Sequence, residues 1–156
     1  MDARTGEAVD METLSSWTRL AGRLALGIIF LVSGAGKLAG WSGTVAYAGS
    51  KGIPAVLLAG AVAFEILGAI SLMAGWKARW GAAALLVFLV PVTLVFHAFW
   101  AVPVAEHQAQ MINFMKNLAI AGGLLSVLGA GPGALGVDGW RARAATNPAV
   151  PGGLPA

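Results

Sequence analysis

The sequence alternates between long apolar stretches and short polar breaks, and the apolar stretches are too long for a soluble core. Four of them are spans of about 20 residues, at 20–39, 54–75, 80–101 and 110–130. At 1.5 Å per residue, each such helix crosses a hydrocarbon layer roughly 30 Å thick. The third and fourth contain uncharged runs, Trp80–Ala105 and Asn117–Val137, that meet the span criterion alone. The first and second carry Lys37 and Glu65 and read as spans because their neighbours already place the chain in lipid. Pro54 suits the first turn of the second helix. Pro91 frees the Val87 carbonyl in the third and is expected to kink it.

The breaks set the topology. Gly40–Ile53, Trp76–Arg79 and Val102–Ala109 are short connections, so consecutive spans should be antiparallel neighbours. The expected fold is an all-α, integral-membrane, up-down-up-down four-helix bundle over residues 20–130. Residues 1–19 read as a polar N-terminal tail, loosely ordered, with a surface turn at Ser15–Trp17. Residues 131–156 form a Gly/Pro-rich C-terminal tail, and its Asn147–Ala156 stretch is too poor in apolar residues to order itself. No cleavable leader is expected, because Asp2, Glu7, Asp10 and Glu12 precede the first apolar run.

Composition agrees: the chain is 58% hydrophobic and 11% charged, against about 25% charged in soluble domains. The excess of three positive charges forms no basic run, so nucleic acid is not an expected partner. Seven basic residues (Arg4, Arg19, Arg23, Lys77, Arg79, Arg141, Arg143) gather at one face and three (Lys37, Lys51, Lys116) at the other. That bias puts both termini in the cytoplasm. Trp41, Trp76, Trp80, Trp100 and Trp140 fall near span ends, as an interfacial belt would. With no cysteine, the chain builds no disulfide relay, iron–sulfur cluster or Cys-based zinc site. No metal site is expected.

Charges at the centre of a membrane helix cost about 2.5–3.5 kcal/mol each, so those present call for an explanation. Glu65 lies near the midplane, roughly 16 Å from the outer end of its span. Its neighbours Ala61, Gly68 and Ala69 are small and would admit a long side chain from another helix. A carboxyl there must be protonated or paired, with Lys116 or Lys37 as the expected partner. His97 stands one turn from the outer end of the third span, and Asn117 is beside Lys116. Arg23 shares a helix face with Lys37 four turns away and reads mainly as an inner-face anchor. Lys37 and His97 could also simply extend to the headgroups.

Two readings of this set stay open: a structural ion pair, or a site for a polar ligand. A quinone suits the second, with an apolar slot for its ring, donors from Lys116, His97 or Asn117, and proton exchange with Glu65. No covalently bound cofactor is expected. Haem is disfavoured because both histidines, His97 and His107, sit at one edge, His107 in a loop. An ion or proton pathway would use the same residues.

Several segments resemble the DoxX family of small bacterial membrane proteins. They are Arg23-Leu-Ala-Leu-Gly-Ile-Ile-Phe with Gly36-Lys37-Leu38, then Glu65-Ile-Leu-Gly68. Val95-Phe96-His97-Ala98-Phe99-Trp100 and Phe114-Met115-Lys116-Asn117-Leu118-Ala119, followed by Gly122-Gly123, complete the set. The likeness runs from about Leu20 to Leu128. It implies a four-helix bundle in the bacterial inner membrane and an association with membrane redox chemistry, since relatives include a subunit of a thiosulfate:quinone oxidoreductase. The residues it carries over are Arg23, Lys37, Glu65, His97, Lys116 and Asn117. The family's Phe-His-Asn has Ala98 in the Asn position here. The function expected is an integral membrane subunit of a quinone-linked complex, contributing a polar site or anchoring a partner and not catalytic alone. The alternatives are a purely structural accessory subunit and a small transporter or proton conductor. Expected partners are the bilayer and other membrane subunits or copies of the chain.

Overall fold

In the computed structural model, residues 3–146 are described, with side chains from Asp10 onward, and these residues form helices and turns without strands. The elements are α1 (Ala3–Ala39), α2 (Trp41–Ser50), α3 (Ala55–Ala74), α4 (Ala78–Phe96), a 3₁₀ turn (Phe99–Ala101), α5 (Val104–Ala130) and α6 (Val137–Thr146). Four of them, α1, α3, α4 and α5, are long and apolar enough to cross a membrane. Their packing follows chain order: α1 lies along α3, α3 along α4 and α4 along α5, while α5 touches α1 more thinly.

Several boundaries differ from those expected. The polar N-terminal segment is a continuation of the first helix, because no proline interrupts residues 3–39. The Gly40–Ile53 connection folds into α2. Gly40 bends the chain between α1 and α2 while its N–H still reaches the Gly36 carbonyl at 3.0 Å. Trp41, Val45 and Ala48, spaced as one helical face, then pack on Leu58 and Val62 of α3. The third span ends at Ala101 as expected, but its regular helix α4 stops at Phe96 and the 3₁₀ turn completes it. The chain turns at His97 so that Phe99 and Trp100 meet Phe114 edge-on, with centroids 5.7 Å away in both cases. α5 correspondingly starts at Val104, which puts His107 in a helix and not in a loop. The segment after α5 contains α6; Asn147–Ala156 lie outside the described residues.

Hydrophobic burial drives no association in lipid, so close approach of small residues has to hold the bundle. α3 and α4 show this in their halves nearest the α3–α4 turn. A Cβ on Gly68 would come within 2.9 Å of Leu85 Cγ, and one on Gly81 within 2.7 Å of Ser71 Oγ. Around that contact Ala69, Leu72, Ala82, Leu85 and Leu89 are buried, with Phe30 and Leu124 from the flanking helices. Gly123 takes Leu26 of α1 in the same way, whereas Gly36 and Gly122 face open space.

The α3–α4 turn is held from a distance. Gly75 closes α3 in the left-handed conformation, φ 66°, and its carbonyl accepts the Asp138 N–H at 2.8 Å. The Asp138 carboxylate in turn accepts the Lys77 and Ala78 N–H groups at 2.9 and 3.0 Å. The first turn of α4 is thus capped by a residue of α6. Arg79 and Arg19 donate to the Gly129 and Ala130 carbonyls at the end of α5, at 3.2 and 3.3 Å. The N-terminal half of α1, the α3–α4 turn and the end of α5 therefore share one end of the bundle. α2 and the α4–α5 turn are at the other.

Candidate functional site

The α2 end contains the polar centre. Glu65, ten residues into α3, is 1% exposed. Gly34 of α1 lets the two helices approach: a Cβ there would lie 2.6 Å from Ile66 and 3.6 Å from Glu65 Oε2. One turn further along α1, Lys37 reaches back and donates to Glu65 Oε2 at 2.7 Å and Oε1 at 2.9 Å. Its third donor goes to Ser33 Oγ at 2.7 Å. The Phe88 ring of α4 lies under the same ammonium, 5.6 Å from Nζ to centroid.

The two partners are not equally enclosed. The Lys37 side chain is 28% exposed and that of Glu65 2%. Lys37 faces a cavity of about 250 Å³ walled by Tyr47 and Thr44 of α2, Ala61 and Val62 of α3, and Phe88, Val92 and Phe96 of α4, with His97 at its rim. Tyr47 and Phe96 are in ring contact at 5.4 Å, so α2 closes the cavity like a cover. His97 Nδ1 lies 2.9 Å from Gln110 Oε1. Nδ1 is engaged by that amide, which leaves Nε2 as the ring's remaining polar atom.

The other expected members are elsewhere. Lys116 is the clearest correction: it lies on an exposed face of α5 and has no hydrogen bond or ion pair among the described residues. α5 packs on α4 and α1, so Lys116 does not approach Glu65. Asn117 donates to Thr93 Oγ1 at 2.9 Å and fastens α5 to α4 outside the cavity. Arg23 is fourteen residues before Lys37, about 21 Å along the helix, at the opposite end. Buried there to 1%, it donates Nη2 to the Leu135 carbonyl, while Nε and Nη1 have no hydrogen-bond partner among the described residues. It belongs to the clamp on the C-terminal segment and not to the polar site. His107 bonds the Val102 carbonyl at 2.8 Å and is likewise separate.

Sequence similarity adds the family. Residues 18–98 match the DoxX family profile, which covers the first three spans and with them Lys37, Glu65 and His97. The chain belongs to the DoxX family. It is similar to the inner membrane protein YphA of Escherichia coli, 35% identical over 121 residues that span 76% of this chain and 86% of that protein. It is also similar to the inner membrane protein YqjF of E. coli, 31% identical over 128 residues, 82% of this chain and 95% of that one. A shorter likeness, 35% over 66 residues, links it to the Surfeit locus protein 4 homologue of Schizosaccharomyces pombe, with 41% of this chain and 22% of that one covered. No solved structure matches significantly. With four apolar helices and inner-membrane relatives, this DoxX protein is a multi-pass inner-membrane protein.

In this DoxX chain the residues around the pair that the sequence pattern does not single out are Thr44, Tyr47, Phe88 and Gln110, whereas Ser33 follows from sharing the helix face of Lys37. Thr44 and Tyr47 lie in α2, where the sequence predicts only a connection. The available signal was the Trp41–Val45–Ala48 spacing, bounded by Gly40 and by Gly52-Ile-Pro54. Phe88 looked like any other lipid-facing apolar residue of a hydrophobic span.

Proposed function

We propose that this DoxX protein is a membrane subunit of a quinone-linked redox complex and that it holds a quinone head group in the cavity above Lys37 and Glu65. The observation that carries the reading is the 28% exposure of Lys37 into an aromatic-walled space. A pair needed only for packing would be sealed on both sides. A cavity of about 250 Å³ has room for one planar ring, and Phe88, Phe96 and Tyr47 give it an aromatic wall. Its carbonyl oxygens need donors, and Lys37 can offer the proton now given to Ser33 without breaking its two bonds to Glu65. The chain is free of cysteine, so electrons from an iron–sulfur or dithiol centre would have to come from another subunit.

Titration of the detergent-purified protein with a benzoquinone analogue tests this. Lys37→Met and His97→Phe should each weaken binding at least tenfold, and Lys116→Met should leave it unchanged. Absence of binding by the unmodified protein, together with absence of co-purified quinone, would end this reading.

The structural-accessory reading is supported by α5. Only 6% of its most apolar stretch is buried within the bundle, against 22–33% in the other three spans, and Lys116 stands on it with no partner among the described residues. If α5 is a docking face, Ala119→Leu and Gly122→Leu should release the protein from a larger complex without affecting quinone binding.

A further inference from the structure

The cavity at Lys37 has a neighbour on the lipid side. A groove of about 400 Å³ runs between α3 and α4, bordered by Leu57, Gly60, Phe64, Val87, Pro91 and Val95. Those six residues are exposed on the flank of the bundle that faces acyl chains. The groove's inner wall is made of Ile53, Ala61, Phe88, Val92 and Phe96, and the same five residues line the cavity. Groove and cavity are therefore two sides of one thin, half-buried, wholly apolar partition.

The packing explains why the groove opens where it does. α3 and α4 are in close contact at Gly68 and Gly81, and they part toward the α2 end. At Gly60, two turns from Gly68, a Cβ would meet nothing within 4 Å. Ala61, beside it, is the small member of the partition. Across from it, α4 passes through Pro91, which has no N–H to hold the preceding turn. A hinge-prone stretch of α4 thus carries Phe88, Val92 and Phe96, and Phe88 lies directly between the groove and the Lys37 ammonium.

We infer that the α3–α4 groove is a lateral entrance from the bilayer and the seat of a hydrocarbon tail, so that the ligand of this site is a long-tailed lipid-soluble molecule with a compact polar head. This rests on the cavity's binding a quinone head as proposed above. The head enters past Phe88 and Phe96 and reaches Lys37 and His97. The tail remains along Gly60, Phe64, Val87 and Pro91. A water-soluble substrate would gain nothing from this route, because no polar side chain lines the groove.

The test compares a decyl-substituted benzoquinone with the same ring bearing a methyl group in place of the chain. Gly60 borders the groove and not the cavity, and its outward direction is empty, so Gly60→Leu fills the tail seat without a collision. The decyl compound should bind Gly60→Leu at least tenfold more weakly than the unmodified protein, while the methyl compound binds both alike. Equal effects on the two compounds, or none on either, overturn the groove assignment. Lys37→Met should weaken both compounds together, so loss of the groove and loss of the head site give different patterns. Because the chain has no cysteine, a nitroxide on Gly60→Cys gives a second readout. Its motion should slow with the decyl compound and not with the methyl one; identical spectra refute the inference, and no binding of either compound refutes it along with the head site.

Discussion

Replacing Lys37 by Met keeps an unbranched side chain one atom shorter and removes the ammonium with its three donors, so it breaks the ion pair from the lysine side. In the native protein the Glu65 carboxylate takes both of its bonds from that ammonium and is 1% exposed. Once Lys37 is gone, no other cation among the described residues pairs with it, since Lys116 is on an outward face of α5. Breaking a buried pair from one side costs about 3–5 kcal/mol, or roughly two to almost four decades in the unfolding equilibrium. Glu65→Gln is the milder change. Lys37 keeps Ser33 and an amide oxygen as acceptors, and it is open to the cavity. Loss of one charged hydrogen bond is then the appropriate scale, about 1.5–3 kcal/mol. The double variant Lys37→Met/Glu65→Gln should cost less than the sum of the two, with a coupling of at least about 1 kcal/mol. Unfolding by sodium dodecyl sulfate in mixed micelles, followed through the tryptophans, gives all four corners of the cycle. A coupling under about 0.5 kcal/mol, or a Lys37→Met cost no larger than that of Glu65→Gln, would refute the account of an enclosed carboxylate and a half-open lysine.

Lys116→Leu should leave stability unchanged or raise it in the same assay, by at most the roughly 2.5–3.5 kcal/mol that a central lysine costs on insertion; a clear loss would mean that Lys116 has a partner within the protein. Gly68→Val should destabilise by about 1–3 kcal/mol through overpacking against Leu85, while Gly60→Val, with the same chemistry in open space, should not. Asp138→Ala removes the cap on Lys77 and Ala78 and should cost about 0.5–2 kcal/mol, with amide exchange accelerated at the start of α4 before anywhere else.

The four spans and the need of Glu65 for company were legible because both are statements about depth, and depth follows from counting residues along a helix. Which lysine answers Glu65 is a statement about azimuth. Lys37 and Lys116 both lay toward the same end, and the residue list did not separate them. The topology does. In an up-down bundle with successive spans adjacent, the helix of Glu65 is flanked by those of Lys37 and His97, and the helix of Lys116 is diagonal to it. α2 was lost for another reason: ten residues with a mixed surface resemble a loop unless the Trp41, Val45 and Ala48 face is projected onto a helix.

The position of the pair within the bundle bears on what it is for. α3 and α4 are tightest where Gly68 meets Leu85 and Gly81 meets Ser71, and a pair meant only to fix the helices would be best shielded there. Glu65 instead lies one turn past that contact, at the point where the helices begin to part, and its partner looks into the space they open. Placing a charge pair beside a cavity leaves Lys37 incompletely enclosed and forgoes packing around it, a cost that a structural role would not require. A site that must lend a donor to a ligand and still keep its carboxylate neutralised requires this arrangement: three acceptors around Lys37, of which one, the Ser33 hydroxyl, is exposed and replaceable. Ser33→Ala is therefore the sharpest discriminator. On the ligand-site account it frees a donor, so quinone binding is kept or tightened, and stability falls by no more than about 1 kcal/mol, the value of an ordinary hydrogen bond. On the structural account the cavity holds no quinone and Ser33→Ala only subtracts a bond, so a loss of quinone binding in Ser33→Ala would decide against a donor kept for the ligand.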